Sequence, residues 1–235
     1  MPTLVGVAPF DLYGAAHLGA LGVTLLAAVC LVRTARRTPQ RTGLIAKILA
    51  ALLLGLYPVH ATVHWMAGSL NRENVLPCHL CDVAAALGAV ALLTRNQRIA
   101  ELVWFWGMAG TLNGLLTPAL SESFPSYAYF AFFALHSGVV IAAVFLVAGL
   151  NLKPTPGAVW RAFGWIQVYM LAAGVANYLS GANYGFLRAK PPQASPMDFL
   201  GPWPWYILGL ELMGLLLFFL LYLPFRRPQA PAAAL

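Results

Sequence analysis

The chain has 235 residues, 60% of them hydrophobic and only 9% charged. A soluble domain carries about a quarter charged residues, so a water-soluble fold is excluded and a polytopic membrane protein is expected. The formal charge of +7 invites a nucleic-acid reading, but the basic residues lie where membrane topology puts them. Three cysteines, Cys30, Cys78 and Cys81, are too few for a disulfide scaffold, and Cys78-x-x-Cys81 is the only close pair. Residues 1–10 have no basic segment ahead of an apolar core, so no cleavable signal peptide is expected.

Apolar runs and their breakers predict an all-α, polytopic bundle of seven transmembrane helices in one domain, 1–235. The first span covers about 13–32 and ends in Arg33, Arg36, Arg37 and Arg41. The second, about 43–67, carries His60 and His64 near its far end. The third, about 77–94, starts at Pro77, since proline suits a first helical turn, and stops before Arg95 and Arg98. The fourth, about 100–120, contains Asn113, and the fifth, about 126–150, contains His136. Pro154 and Pro156 precede the sixth, about 158–180, which contains Gln167 and Asn177. A Pro- and Gly-rich loop leads to the seventh, about 203–223, which contains Glu211. The tail 228–235 is expected to be disordered.

Orientation follows from Lys and Arg near the span ends. Eleven of the 14 fall on the side of the first, third and fifth loops and the C-terminus. Arg72, Arg188 and Lys190 fall on the other. The N-terminus is therefore expected outside and the C-terminus in the cytoplasm, in a bacterial cytoplasmic (inner) membrane, with no nucleic-acid partner.

With that orientation the polar residues of six spans gather in the outer half. Cys78, His79, Cys81 and Asp82 lie at the mouth of the third span. Glu211 lies roughly 12 Å below Trp203, and His136 roughly 15 Å below Ser126, at about 1.5 Å rise per residue. One polar cavity open to the outer leaflet is the economical explanation, and ionisable groups inside a membrane mark function by default. Each residue also has a structural reading. His60 and His64 could be a hydrogen-bonded i,i+4 pair, Asn113, Asn177 and Gln167 interhelical glue, and Glu211 a partner for a histidine. Cys30 reads as a small buried residue, and Gly107, Gly110 and Gly114 as sites of close helix approach.

Three chemistries use this set. A thiol, Cys78 or Cys81, could attack a lipid ester with His136 or His79 as base and Asp82 or Glu211 orienting the imidazole. His60, His64, His79 and His136 could instead ligate zinc in a hydrolase. Cys78 and Cys81 could exchange thiol and disulfide, though Cys30 near the cytoplasmic side offers no relay. A non-enzymatic binding or transport protein would use the cavity without breaking bonds. One geometric conflict stands: on these boundaries Cys78 is roughly 12 Å shallower than His136. Either the fifth span starts later than Ser126, or the segment before Cys78 dips into the cavity.

The blocks Leu76-Pro77-Cys78-His79-Leu80-Cys81-Asp82, Leu116-Thr117-Pro118, Phe133-Ala134-Leu135-His136 and Gly201-Pro202-Trp203-Pro204-Trp205-Tyr206 resemble the YwaF-like bacterial integral-membrane family. The resemblance spans nearly the whole chain. That family is related to a vertebrate transmembrane acyltransferase that moves acyl chains between glycerophospholipids through a cysteine and a histidine. Its Pro-Cys-His motif matches Pro77-Cys78-His79, and its downstream histidine matches His136 by spacing. Many bacterial members keep the cysteine matching Cys81 rather than Cys78; this chain has both. The resemblance thus implies phospholipid acyl transfer without a cofactor, with membrane phospholipid as the partner, Cys78 or Cys81 as nucleophile and His136 as base. Between the thiols the expectation leans to Cys78.

Overall fold

A computed structural model describes residues 8–193 and 195–226; the tail 228–235 lies outside them. Seven helices follow in order: α1 (Ala15–Arg37), α2 (Thr42–Met66), α3 (Leu80–Thr94), α4 (97–116), α5 (127–149), α6 (Ala158–Ser180) and α7 (Trp205–Tyr222). Among the described residues the only β pairing is an isolated bridge between Pro9 and Glu122. Four segments are long and apolar enough to cross a membrane: Ala15–Arg37, Pro39–Met66, Tyr127–Gly149 and Trp205–Phe225. The chain is an integral membrane protein built as a helical bundle.

The short α3 is the hub, packed against α2, α4 and α5. Ala84, Ala85, Gly88, Ala89 and Ala91 on it are buried, and small residues let neighbouring backbones approach where lipid removes any hydrophobic drive to associate. A Cβ on Gly88 would lie 3.2 Å from Leu53 of α2 and 3.8 Å from Ala142 of α5. Gly107 and Gly110 serve the same purpose, against Val139 at 3.3 Å and Leu80 at 3.0 Å. α1 lays His17, Thr24, Ala28 and Ala35 on one buried stripe, and Thr24 shares a 2.7 Å hydrogen bond with Ser137 of α5. Cys30 is exposed on this helix rather than buried, because it falls off that stripe.

Helix ends follow local chemistry, with departures from the sequence reading at α3 and at both ends of α4. α4 starts at Gln97, earlier than expected, because the Asn96 side chain accepts from the N–H groups of Arg98 (2.9 Å) and Ile99 (3.2 Å). It stops at Leu116 because Thr117 precedes Pro118 and leaves the helical region. α3 starts at Leu80 rather than Pro77: His79 is extended (φ −70°, ψ 151°) and its N–H donates to Asp82 Oδ2 at 3.2 Å. Two π turns, Gly107–Thr111 in α4 and Phe145–Gly149 in α5, interrupt otherwise regular helices. Such turns redirect side chains and often sit beside functional sites.

Opposite the α3 entrance, Glu101 is buried (1% exposed) and clasps three elements. Its carboxylate accepts from Arg161 Nε (3.0 Å) and Nη2 (2.8 Å) of α6, and from the Thr155 N–H (3.0 Å) and hydroxyl. Every lone pair of this buried anion thus faces a donor, which its desolvation demands.

Candidate functional site

The site is built at the entrance to α3. Because the helix begins at Leu80 rather than at the expected Pro77, Cys78 stands ahead of it and shares no helical face with Asp82. Asp82, third in the helix, instead caps the turn and complements the positive end of the helix dipole. Cys78 is half-buried against Ala173, Ala182 and Tyr184. Its carbonyl accepts from the Tyr169 hydroxyl at 3.1 Å.

The strap leading to Cys78 is fixed from several sides. Tyr57 of α2 donates to the Val75 carbonyl at 2.6 Å. Tyr184 donates to the Arg72 carbonyl at 2.5 Å, and Glu73 accepts from the Asn183 N–H at 2.9 Å. Asn177, expected as interhelical glue, clamps the loop after α6 instead: its amide accepts from the Tyr184 N–H at 2.6 Å and donates to the Tyr184 carbonyl at 3.0 Å.

This strap bears on the depth of Cys78. α5 starts at Tyr127 with the Ser126 hydroxyl as its cap, so His136 stays roughly 15 Å below that end. Tyr169, however, lies eleven residues before Ser180, the last residue of α6. Its Cα is therefore on the order of 16 Å below the end of α6, and its side chain reaches from there to the Cys78 carbonyl. The segment before Cys78 dips inward, as irregular backbone can when it lines a polar site inside a bundle.

His136 is oriented by its own helix. Its Nδ1 lies 2.8 Å from the Phe132 carbonyl, and a carbonyl only accepts, so Nδ1 carries the hydrogen. In the neutral ring Nε2 is then the free lone pair. The imidazole stacks on Phe132 at 3.9 Å between ring centres, and its edge faces Gly114 of α4. Three contacts set the register: Leu80 with Gly110, Gly88 with Ala142, and Gly114 with His136. Together they put His136 at the height of the first turn of α3. His79 packs edge-on to Tyr184 at 5.3 Å and lies 6.0 Å from Phe186. Burial first, and then the Asp82 charge, push the Cys78 thiol above its ordinary range. A thiol so placed stays protonated at neutral pH and needs a base to become a nucleophile.

The other expected residues fall elsewhere. His60 and His64 pair with each other at 4.3 Å and with Tyr127 at 6.3 Å, and His64 Nδ1 bonds the Ser69 hydroxyl at 2.8 Å. Among the described residues no three His, Cys, Asp or Glu side chains are arranged to hold a metal. The expected quartet His60, His64, His79 and His136 is not assembled, because the i,i+4 pair on α2 engages Tyr127 while the other two serve the α3 entrance. Asn113 turns back on its own helix, donating to the Ala109 carbonyl at 2.5 Å. Glu211 lines a separate groove of about 420 Å³ with Leu187, Trp203, Trp205 and Leu208, so it orients no histidine here. Tyr169 and Tyr184 escaped the sequence reading, since a tyrosine in an apolar run looks like an interface aromatic; no local signal distinguishes them.

Residues 12–222 match the model of the TMEM164 family. An uncharacterized protein of Treponema pallidum (strain Nichols) is 29% identical over 160 residues, which cover 67% of this chain and 65% of that protein. The alignment thus spans somewhat less than two thirds of that relative's length. No solved structure matches the chain.

Proposed function

The chain belongs to the TMEM164 family, and from that premise we propose that it is an intramembrane lipid-modifying enzyme, transferring a phospholipid acyl chain through a thioester on Cys78. The carrying observation is His136, whose Nδ1 is anchored on Phe132 and whose Nε2 is free at the height of the α3 entrance. In the first step Nε2 takes the Cys78 proton and the sulfur attacks the lipid ester carbonyl. The C–O bond breaks, and the departing glycerol oxygen takes the proton back from the imidazolium. In the second step the same Nε2 deprotonates a lysophospholipid hydroxyl, or water, which attacks the thioester and returns the proton to sulfur. His79 and Asp82 shape the entrance around the thiol.

A second assignment of the nucleophile has its own support. Gly88 meets Ala142 on the face of α3 that also carries Cys81, two turns earlier, so Cys81 shares the height of His136. In membrane terms the reading makes all seven helices spans, with the N-terminus outside and eleven basic residues toward the cytoplasm of a bacterial inner membrane.

The test is intact-mass and peptide analysis of the protein held in nanodiscs of phosphatidylethanolamine and phosphatidylglycerol. A hydroxylamine-labile acyl adduct on the Cys78 peptide, lost in His136→Ala, is expected. An adduct on Cys81 alone moves the nucleophile, and no adduct on either thiol overturns the reading.

A further inference from the structure

We propose that Tyr169 is the positioning residue for Cys78: one phenol hydroxyl fixes the backbone that presents the thiol. The inference rests on the thiol reading above for its catalytic meaning, but its structural content stands apart. Among the described residues the Cys78 carbonyl receives no backbone N–H; its donor is the Tyr169 hydroxyl at 3.1 Å. A single extended residue, His79, separates Cys78 from the first helical residue. Rotation about that junction swings the thiol, and the hydrogen bond from α6 is what stops it.

The tyrosine is itself held rigidly. Its ring packs on Trp106 of α4 at 6.1 Å, and the Trp106 indole donates to the Ala162 carbonyl at 3.2 Å. On the other side the hydroxyl lies against Gly185, where a Cβ would sit only 2.8 Å from the oxygen. Gly185 is also left-handed (φ 66°), a conformation that excludes most side chains. The missing side chain at 185 therefore leaves room for the hydroxyl that holds Cys78. A packing tyrosine would not need this: phenylalanine fills the same space without the bond.

The test uses full-length protein in nanodiscs, with Tyr169→Phe, Gly185→Ala and the double variant. Iodoacetamide labelling of Cys78 and Cys81 is followed separately by mass spectrometry, alongside the melting temperature and hydrolysis of 4-nitrophenyl decanoate. In Tyr169→Phe, Cys78 labelling should rise about five- to tenfold while Cys81 labelling and melting stay at the parent values, as loss of one neutral hydrogen bond predicts. kcat should fall about tenfold with KM within twofold, since the thiol is misaimed and binding is untouched. Gly185→Ala should reproduce the Cys78-specific labelling and the fall in kcat, at a melting temperature lowered by its left-handed backbone, and the double variant should add little to either readout, since both act on one contact. Unchanged Cys78 labelling overturns the proposal, as does a rise shared by both cysteines with a lower melting temperature. Should the parent protein hydrolyse nothing, the acyl-transfer reading fails, while the labelling still decides the role of Tyr169.

Discussion

Gly114 of α4 and His136 of α5 are matched across their helix contact: a Cβ at position 114 would stand 2.9 Å from His136 Cδ2 and 3.2 Å from Nε2. The absent side chain makes the space in which the imidazole stacks on Phe132 and keeps its Nε2 open.

Gly114→Ala should therefore act on the ring before it acts on the fold. The added methyl must push the imidazole off Phe132, and a displacement approaching 1 Å of a reacting group can cost on the order of a hundredfold in rate. Thioester formation should fall at least tenfold with the melting temperature within a few degrees. Parent-like acylation in Gly114→Ala would remove His136 from the mechanism.

Cys78 should show a displaced alkylation profile. Burial and then Asp82 raise its thiol pKa, and only the thiolate reacts, so at neutral pH labelling should be slower than for an ordinary thiol. The rate should climb as pH rises and still be climbing where an unperturbed cysteine levels off. Asp82→Asn keeps an acceptor for the His79 N–H but removes the charge, so labelling at a fixed pH should increase. Iodoacetamide rates across pH 6 to about 10, read at the Cys78 peptide, decide this.

Glu101→Ala should destabilise without touching the thiol chemistry. It leaves the Arg161 guanidinium and Thr155 without their carboxylate, which costs roughly 3 kcal/mol for a buried pair broken from one side. Pairing it with Arg161→Met should restore part of the loss, because the charge then left unpaired, Arg98, is exposed to water. Denaturation in mixed micelles measures both, and the labelling rates of Cys78 and Cys81 below the transition should match the parent.

His17 is a structural histidine of the first helix and should behave as one. It is fully buried, accepts from the Tyr13 N–H at 3.0 Å and reaches the Leu115 carbonyl at 2.7 Å through Nε2, which fixes the neutral tautomer. His17→Phe should cost about 2 kcal/mol by stranding the Leu115 carbonyl. Thermal unfolding should report the loss, and acylation per folded molecule should be unchanged.

Much of the architecture was legible residue by residue. The sixth helix runs from Ala158 to Ser180, where Pro154, Pro156 and Gly181 bracket it, because those residues act on their own backbone. Pro77 misled for an instructive reason: proline permits a helix start but does not compel one, and Asp82 caps His79 instead. That shift of three residues moved Cys78 from the helix to the strap. His79, Cys81 and Asp82 stand at the start of α3, and the helix contacts set His136 at that height. Glu211 and the His60–His64 pair lie elsewhere, since residues at similar depth can face quite different neighbours.

Taken alone, the sequence determined that this chain is a bundle of apolar helices. Length and polarity of a segment are local properties, and they suffice for that. Only the tertiary structure decided which groups share a site. The rotation and axial shift of each helix come from many weak contacts between small side chains. Leu80 on Gly110, Gly114 on His136 and Tyr169 on Cys78 join residues at least 22 positions apart in the chain, and no local pattern records them.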